Sequence, residues 1–254
     1  MPSLYVDAIA KHFGGLKAVE DVTIEIPPGT ITGLIGPNGA GKSTVVNMIA
    51  GNLALTRGDI RLGDRSIRTL PADQVARAGI VRTFQNIRLL AEATVLDNVM
   101  IGFHLSERAG LLAGLLGLPS ALDETRRFRE QAWVLLERFG MTEYAQLEAG
   151  NLSYGHQRRV EMMRAIASEP KIVLLDEPIA GMNDVESEEL AEIFRDLAAS
   201  GMGLLLIEHN VGFVTRLCKT VYVLDSGRLI AKGTPGEVTR DPKVIAAYIG
   251  TSVQ

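Results

Sequence analysis

Cysteine is almost absent. Cys218 stands alone in 254 residues, so no internal disulfide can staple the chain, and a reducing compartment is expected. An excess of positive charge is missing as well. The 26 Lys and Arg are outnumbered by 30 Asp and Glu, for a net charge of −4, and that balance argues against a nucleic-acid partner bound through its phosphate backbone. Long apolar runs are also lacking. The longest, AGLLAGLLGLPSAL at residues 109–122, is too short and too rich in Gly and Pro to cross a bilayer. The opening stretch, MPSLYVDAIAKHFGG, carries Asp7 inside its apolar run and has no cleavable-signal layout. A cytosolic chain is expected, with any membrane role supplied through a partner. His12, His104 and His156 have no ligand spacing with Cys or acids, so no zinc site is read.

What is present is a core. Hydrophobic residues make up 46% of the chain, enough for one large domain or a main domain with a smaller lobe. Strand-length apolar runs precede amphipathic stretches three times: TITGLIG before a helix at 42–51, KIVLLDE before one near 185–199, and GLLLIEH before one near 210–218. That alternation predicts βα units around a largely parallel sheet covered on both faces. LYVDAIA, VTIEIPPGT, GDIRLGD and VYVLDSGRLIAKGTP are read instead as short antiparallel strands, with Gly227 in a hairpin turn. The middle of the chain reads as a helical lobe. Within it, Phe128, Ala132, Leu135, Leu136 and Phe139 recur at helical spacing. The Leu/Gly stretch 110–118 reads as a surface loop, a hairpin or a packed lobe element.

GLIGPNGAGKSTVVNMIAG, residues 33–51, satisfies the spacing G-x-x-x-x-G-K-[ST] with Gly36, Gly41, Lys42 and Ser43, and places Gly39 between them. Glycines let successive backbone N–H groups turn inward around an oxyanion, and the helix that follows aims its positive end at the same point. Lys42 would meet the β- and γ-phosphates of a nucleoside triphosphate, and Ser43 would offer its hydroxyl to Mg²⁺. In KIVLLDEP, Asp176 and Glu177 follow the apolar run directly. There Asp176 can bind Mg²⁺ directly or through water, and Glu177 can polarise an attacking water.

Further segments complete an ordered set: Gln85 in VRTFQNIRLL, Ser153 and Gly155 in NLSYGHQRRVEM, and His209 closing LLLIEH. Over essentially its whole length the sequence resembles the ATP-binding-cassette ATPases. The implied fold is an α/β P-loop NTPase of the ABC-ATPase class, a RecA-like parallel-sheet core with an antiparallel β subdomain and an α-helical subdomain. The expected organisation is one domain over 1–254, with 1–85 and 166–254 as core and β subdomain and 86–165 as helical subdomain. FGGLKAVEDV (13–22), DEPIAGMN (176–183) and the ending GTPGEV…DPKVIAAYIG (233–250) make it similar to the ATPase subunits of bacterial branched-chain and hydrophobic amino acid importers.

The resemblance implies ATP and Mg²⁺ as cofactors and assigns roles by position. Phe13 matches the aromatic that stacks on adenine. Gly36, Asn38, Gly39, Ala40, Gly41, Lys42, Ser43 and Thr44 form the phosphate loop, while Ser43, Gln85 and Asp176 serve Mg²⁺. Glu177 is the general base, with Lys42 and His209 beside it in catalysis. Ser153 and Gly155 belong to the signature that reaches the nucleotide of a second, homologous or identical, cassette in a head-to-tail dimer. Two departures are visible. Tyr154 and His156 replace the glycine and glutamine of the common signature, and Asn183 stands where an aspartate is frequent. Implied partners are that second cassette, two membrane permeases and, indirectly, a periplasmic binding protein, with no nucleic acid. The expected location is the inner face of the cell membrane. The alternatives are the ATPase of a lipopolysaccharide or lipid exporter and a soluble ABC clamp outside transport. A GTPase or small-molecule kinase would leave the signature unexplained.

Overall fold

In a computed structural model, residues 1–83, 88–106 and 119–249 are described. They form two units. The first holds Met1–Arg82, Lys171–Pro178 and Phe194–Gln254, and the second holds Thr83–Pro170 and Ile179–Ile193.

The first unit opens on β1 (Leu4–Phe13) and β2 (Leu16–Ile26), an antiparallel hairpin turned at Gly14. β3 (Ile31–Ile35) leads through the glycine-rich loop to α1 (Lys42–Ile49). Next come β4 (Arg57–Leu62), β5 (Arg65–Ser66), α2 (Ala72–Ala78) and β6 (Ile80–Arg82). The second unit contributes α3 (Val95–Ile101), α4 (Pro119–Arg138) and α5 (Tyr154–Ile166). After β7 (Ile172–Asp176), α6 (Asp184–Ala199) starts in the second unit and ends in the first. The chain finishes with β8 (Gly203–Ile207), α7 (Val211–Leu217), β9 (Thr220–Asp225), β10 (Arg228–Gly233), α8 (Pro235–Val238) and α9 (Pro242–Ile249).

Two sheets result. One is antiparallel with strand order β2-β1-β4-β5; the other runs β10-β9-β3-β8-β7-β6 and is parallel except for β10. Every residue of β3, β7 and β8 is buried, as expected of central strands covered on both faces. This is the α/β architecture that the alternating runs predict. The DSG turn is a hairpin: Asp225 pairs with Arg228, and Ser226 and Gly227 both have positive φ, 47° and 78°, the geometry that favours glycine in tight hairpins. Gly227 ties two elements together, since its N–H donates to Ala40 of the glycine-rich loop at 2.9 Å and its carbonyl accepts from Glu20 of β2 at 2.8 Å.

In the second unit, α4 presents Ala132 and Leu136 to the interior, with Phe139 buried just beyond its end, matching the sequence periodicity. Asn183 and Glu186 form a reciprocal cap at the start of α6: Asn183 Oδ1 accepts from Glu186 N at 2.9 Å, and Glu186 Oε2 accepts from Asn183 N at 3.0 Å. The Leu/Gly stretch 110–118 lies outside the described residues. No helix among the described residues is long and apolar enough to cross a membrane.

Candidate functional site

β3 ends at Ile35, and the backbone then folds into a loop that only glycine tolerates at two points. At Gly36 an added Cβ would lie 2.0 Å from the Leu224 carbonyl oxygen, and at Gly41, where φ is 102°, 2.8 Å from that of Ala18. Around Gly39, by contrast, a Cβ would meet nothing within 4 Å, so that side of the loop faces open space. α1 starts immediately afterwards and points its unsatisfied N–H groups there.

A cleft of about 240 Å³ opens at this point. The loop residues Asn38, Gly39, Ala40 and Gly41 form one side, and Lys42, Ser43 and Thr44 of the first helical turn continue it. Asp176 and Glu177, from the end of β7, face them together with Ile207 and His209 from the end of β8. Three segments far apart in sequence thus meet because β3, β8 and β7 are adjacent parallel strands whose C-terminal ends share one edge.

Lys42 is buried, and its ammonium donates to the carbonyls of Gly36 at 2.7 Å and Pro37 at 3.0 Å. Burial lowers its pKa, against the opposing pull of the Glu177 and Asp176 carboxylates. Glu177 takes a left-handed backbone, φ 47°, while its N–H donates to the Ile207 carbonyl at 2.9 Å. Strain of this kind in a non-glycine residue concentrates at functional sites. Its Oε1 lies 2.6 Å from His209 Nε2. Asp176 is buried and pairs with Arg82, whose Nη2 donates to Oδ2 at 2.6 Å.

The donor set suits a small hard cation, since a serine hydroxyl and an aspartate carboxylate are oxygen ligands of the kind Mg²⁺ takes alongside substrate phosphates. No group of three or more His, Cys, Asp or Glu able to hold a metal occurs among the described residues. Chemically, the cleft offers the backbone of a glycine-rich loop, a cation, a buried carboxylate paired with Arg82, and a second carboxylate in contact with an imidazole.

The remaining assigned residues lie elsewhere. Phe13 ends β1 with half its surface exposed and with the Lys11 ammonium 5.1 Å from its ring centre; it does not line the cleft. Ser153 and Gly155 belong to the second unit. There Ser153 caps α5, its Oγ accepting from His156 N at 3.3 Å, and the His156 ring packs on Tyr144 with centres 4.4 Å apart. Gln85 lies outside the described residues. Sequence reasoning passed over Arg82 and Asn47, which meet at 2.6 Å beside Asp176. Arg82 sits three positions before Gln85 in VRTFQNIRLL, but only strand register shows where it reaches.

Comparison with known proteins decides the family. The family model described as ABC transporter matches residues 19–180. This chain belongs to the ABC transporter ATP-binding cassettes. It is accordingly a nucleotide-binding ATPase of that class. A second family model, described as branched-chain amino acid ATP-binding cassette transporter, matches residues 228–253 of the cassette. The high-affinity branched-chain amino acid transport ATP-binding protein LivG of Escherichia coli (strain K12) is 42% identical over 98% of each chain. The lipopolysaccharide export system ATP-binding protein LptB of the same organism is 35% identical, also over 98% of each. Among solved structures, the ADP conformation of MJ1267, an ATP-binding cassette of an ABC transporter, superposes with a TM-score of 0.86 at 35% identity, covering 98% of this chain and 99% of that one.

Proposed function

We propose that this chain is the ATP-hydrolysing subunit of a bacterial importer for branched-chain amino acids or related small molecules. The observation that carries the reading is the match of residues 228–253 to the branched-chain cassette model, which goes beyond the general cassette. Identity with LivG supports the importer over a lipopolysaccharide exporter, being 42% against 35% for LptB. We take residues 1–254 as one cassette that works with a second one head-to-tail, on the inner face of the membrane, beneath two permeases fed by a binding protein.

In the proposed cycle the amides of Gly39 to Ser43 hold the phosphates, Phe13 stacks on adenine, and Lys42 exchanges its bonds to Gly36 and Pro37 for phosphate oxygens. Ser43, Asp176 and Gln85 would hold Mg²⁺, which when bound neutralises charge on the β- and γ-phosphates. Glu177 accepts a proton from water as the water oxygen bonds to the γ-phosphorus and the bond to the β,γ-bridging oxygen breaks. ADP and phosphate leave, and the proton stays on the carboxylate until released. His209 orients that carboxylate, and Lys42 offsets negative charge in the transition state. Ser153 and Gly155 meet the γ-phosphate held by the partner cassette, so ATP glues the dimer and hydrolysis frees it.

Glu177→Gln tests the whole. It should retain ATP, trap a closed dimer, and abolish leucine uptake by cells that depend on this cassette. Normal turnover would sink the assigned base, and loss of lipopolysaccharide export in place of uptake would favour the exporter.

A further inference from the structure

We propose that Arg82 is a positioning residue that holds Asp176 and the facing side of α1 in the arrangement Mg²⁺ requires. The inference rests on the reading of Asp176 as a metal ligand. Arg82 is the last residue of β6, paired in parallel register with Leu174 of β7. Asp176 lies two residues further along β7, on the same face of the sheet, a diagonal that a long side chain spans. The guanidinium divides its two ends: Nη2 donates to Asp176 Oδ2 and Nη1 to Asn47 Oδ1, both at 2.6 Å.

Asn47 follows Ser43 by four positions on α1 and therefore shares its helix face. A single planar group thus ties together the strand that carries Asp176 and the helix that carries Ser43. The Arg82 and Asp176 side chains are only 15% and 6% exposed, so solvent and salt screen the pair little. Fixing Oδ2 fixes the rotation of the carboxylate, and with it the direction in which its other oxygen points. A lysine could not replace this, because one ammonium lacks the rigid fork needed to serve both acceptors.

Purified full-length protein with saturating ATP is titrated with Mn²⁺, and bound ion is followed by electron paramagnetic resonance. Loss of an outer-shell partner typically weakens metal binding 10- to 100-fold. Arg82→Lys and Arg82→Gln are therefore expected to raise the half-saturating Mn²⁺ concentration about tenfold or more. Asn47→Ala should move it in the same direction by less. ATP binding measured in EDTA should be unchanged in all three, which a merely structural role would not predict. If Arg82→Gln fails to fold, Arg82→Lys and Asn47→Ala decide. Wild-type half-saturation in both of those overturns the inference. Asp176→Asn separates the two layers: if it too binds Mn²⁺ normally, the reading of Asp176 falls, whereas a shift in Asp176→Asn without one in the Arg82 and Asn47 variants sinks only the role of Arg82.

Discussion

His209 Nε2 and Glu177 Oε1 stand 2.6 Å apart although 32 positions separate them in sequence. β7 and β8 are parallel neighbours, with Asp176 in register with Ile207, so Glu177 and His209 emerge at the same sheet edge. A carboxylate in contact with an imidazole has its rotation restricted before any water arrives. His209→Ala should therefore lower ATP turnover by about 10²-fold or more, while ATP affinity stays within a few-fold. Steady-state hydrolysis alongside equilibrium nucleotide binding checks this, and equal losses in both would count against an orienting role.

The left-handed backbone at Glu177, φ 47°, is a local cost that glycine avoids, on the order of 1 kcal/mol. Glycine gives some of this back through its freer unfolded chain. Glu177→Gly should still unfold at higher urea than Glu177→Gln, by up to about 1 kcal/mol. A lower midpoint for the glycine variant would show that the strain lies elsewhere.

Two glycines of the first unit should respond differently to alanine. At Gly41 a Cβ meets the Ala18 carbonyl at 2.8 Å, and at Gly15 it meets nothing within 4 Å. Gly41→Ala is expected to lose about 1–3 kcal/mol of stability together with most nucleotide binding. Gly15→Ala should be close to neutral in thermal melts.

In the second unit, a Cβ at Gly155 would lie 2.9 Å from Glu186 Oε1, and the other oxygen of that carboxylate is held by Asn183 N. Gly155→Ala should cost up to about 1 kcal/mol, because the helical preference for alanine offsets part of the crowding. Adding Glu186→Ala should recover part of it, giving a coupling of at least about 0.5 kcal/mol in a double-mutant cycle. Strict additivity would mean that the two positions do not press on each other.

Cys218 is buried, and burial pushes its thiol up to about 12 from an ordinary 9.0. Because the folded value lies above the unfolded one, the unfolded chain releases its proton first. The stabilising contribution is complete below about pH 9 and declines as pH rises from there toward the folded value. Urea stability should fall between pH 8.5 and pH 10.5, and fall less steeply in Cys218→Ala, as denaturation curves at the two values of pH would reveal. At pH 8, thiol reagents should label the native protein slowly and the denatured protein quickly.

Local pattern carried much of the fold. Continuous apolar runs marked β3, β7 and β8, the glycine spacing marked the phosphate loop, and DSG marked the β9–β10 turn. The strand-end acids were legible because a parallel sheet brings the ends of successive βα strands to one edge, whereas His209 was marked only by the resemblance to the cassette family. Other features depend on contacts at long range. The reach of Arg82 to Asp176 follows from β6–β7 register, which no periodicity encodes. FGGLKAVEDV was read through the resemblance, with Phe13 as a base-stacking aromatic; in the structure it is the end of β1, the turn and the larger part of β2. The helix expected to run to 51 ends at Ile49, because Gly51 takes φ 73°, a reversal that one residue type permits but does not announce. The place of 179–193 in the second unit is carried by pairs such as Arg159 with Glu189 and the Tyr154 ring against Gly181.

Gly227 has a reach out of proportion to its size. With its amide on Ala40 and its carbonyl on Glu20, the β9–β10 turn works as a strut between the phosphate loop and the neighbouring antiparallel sheet. The stretch that carries the branched-chain match begins one residue later, at 228. A shift of this hairpin would therefore be felt at Ala40 and Glu20 together, with no change in the identity of any residue that lines the cleft.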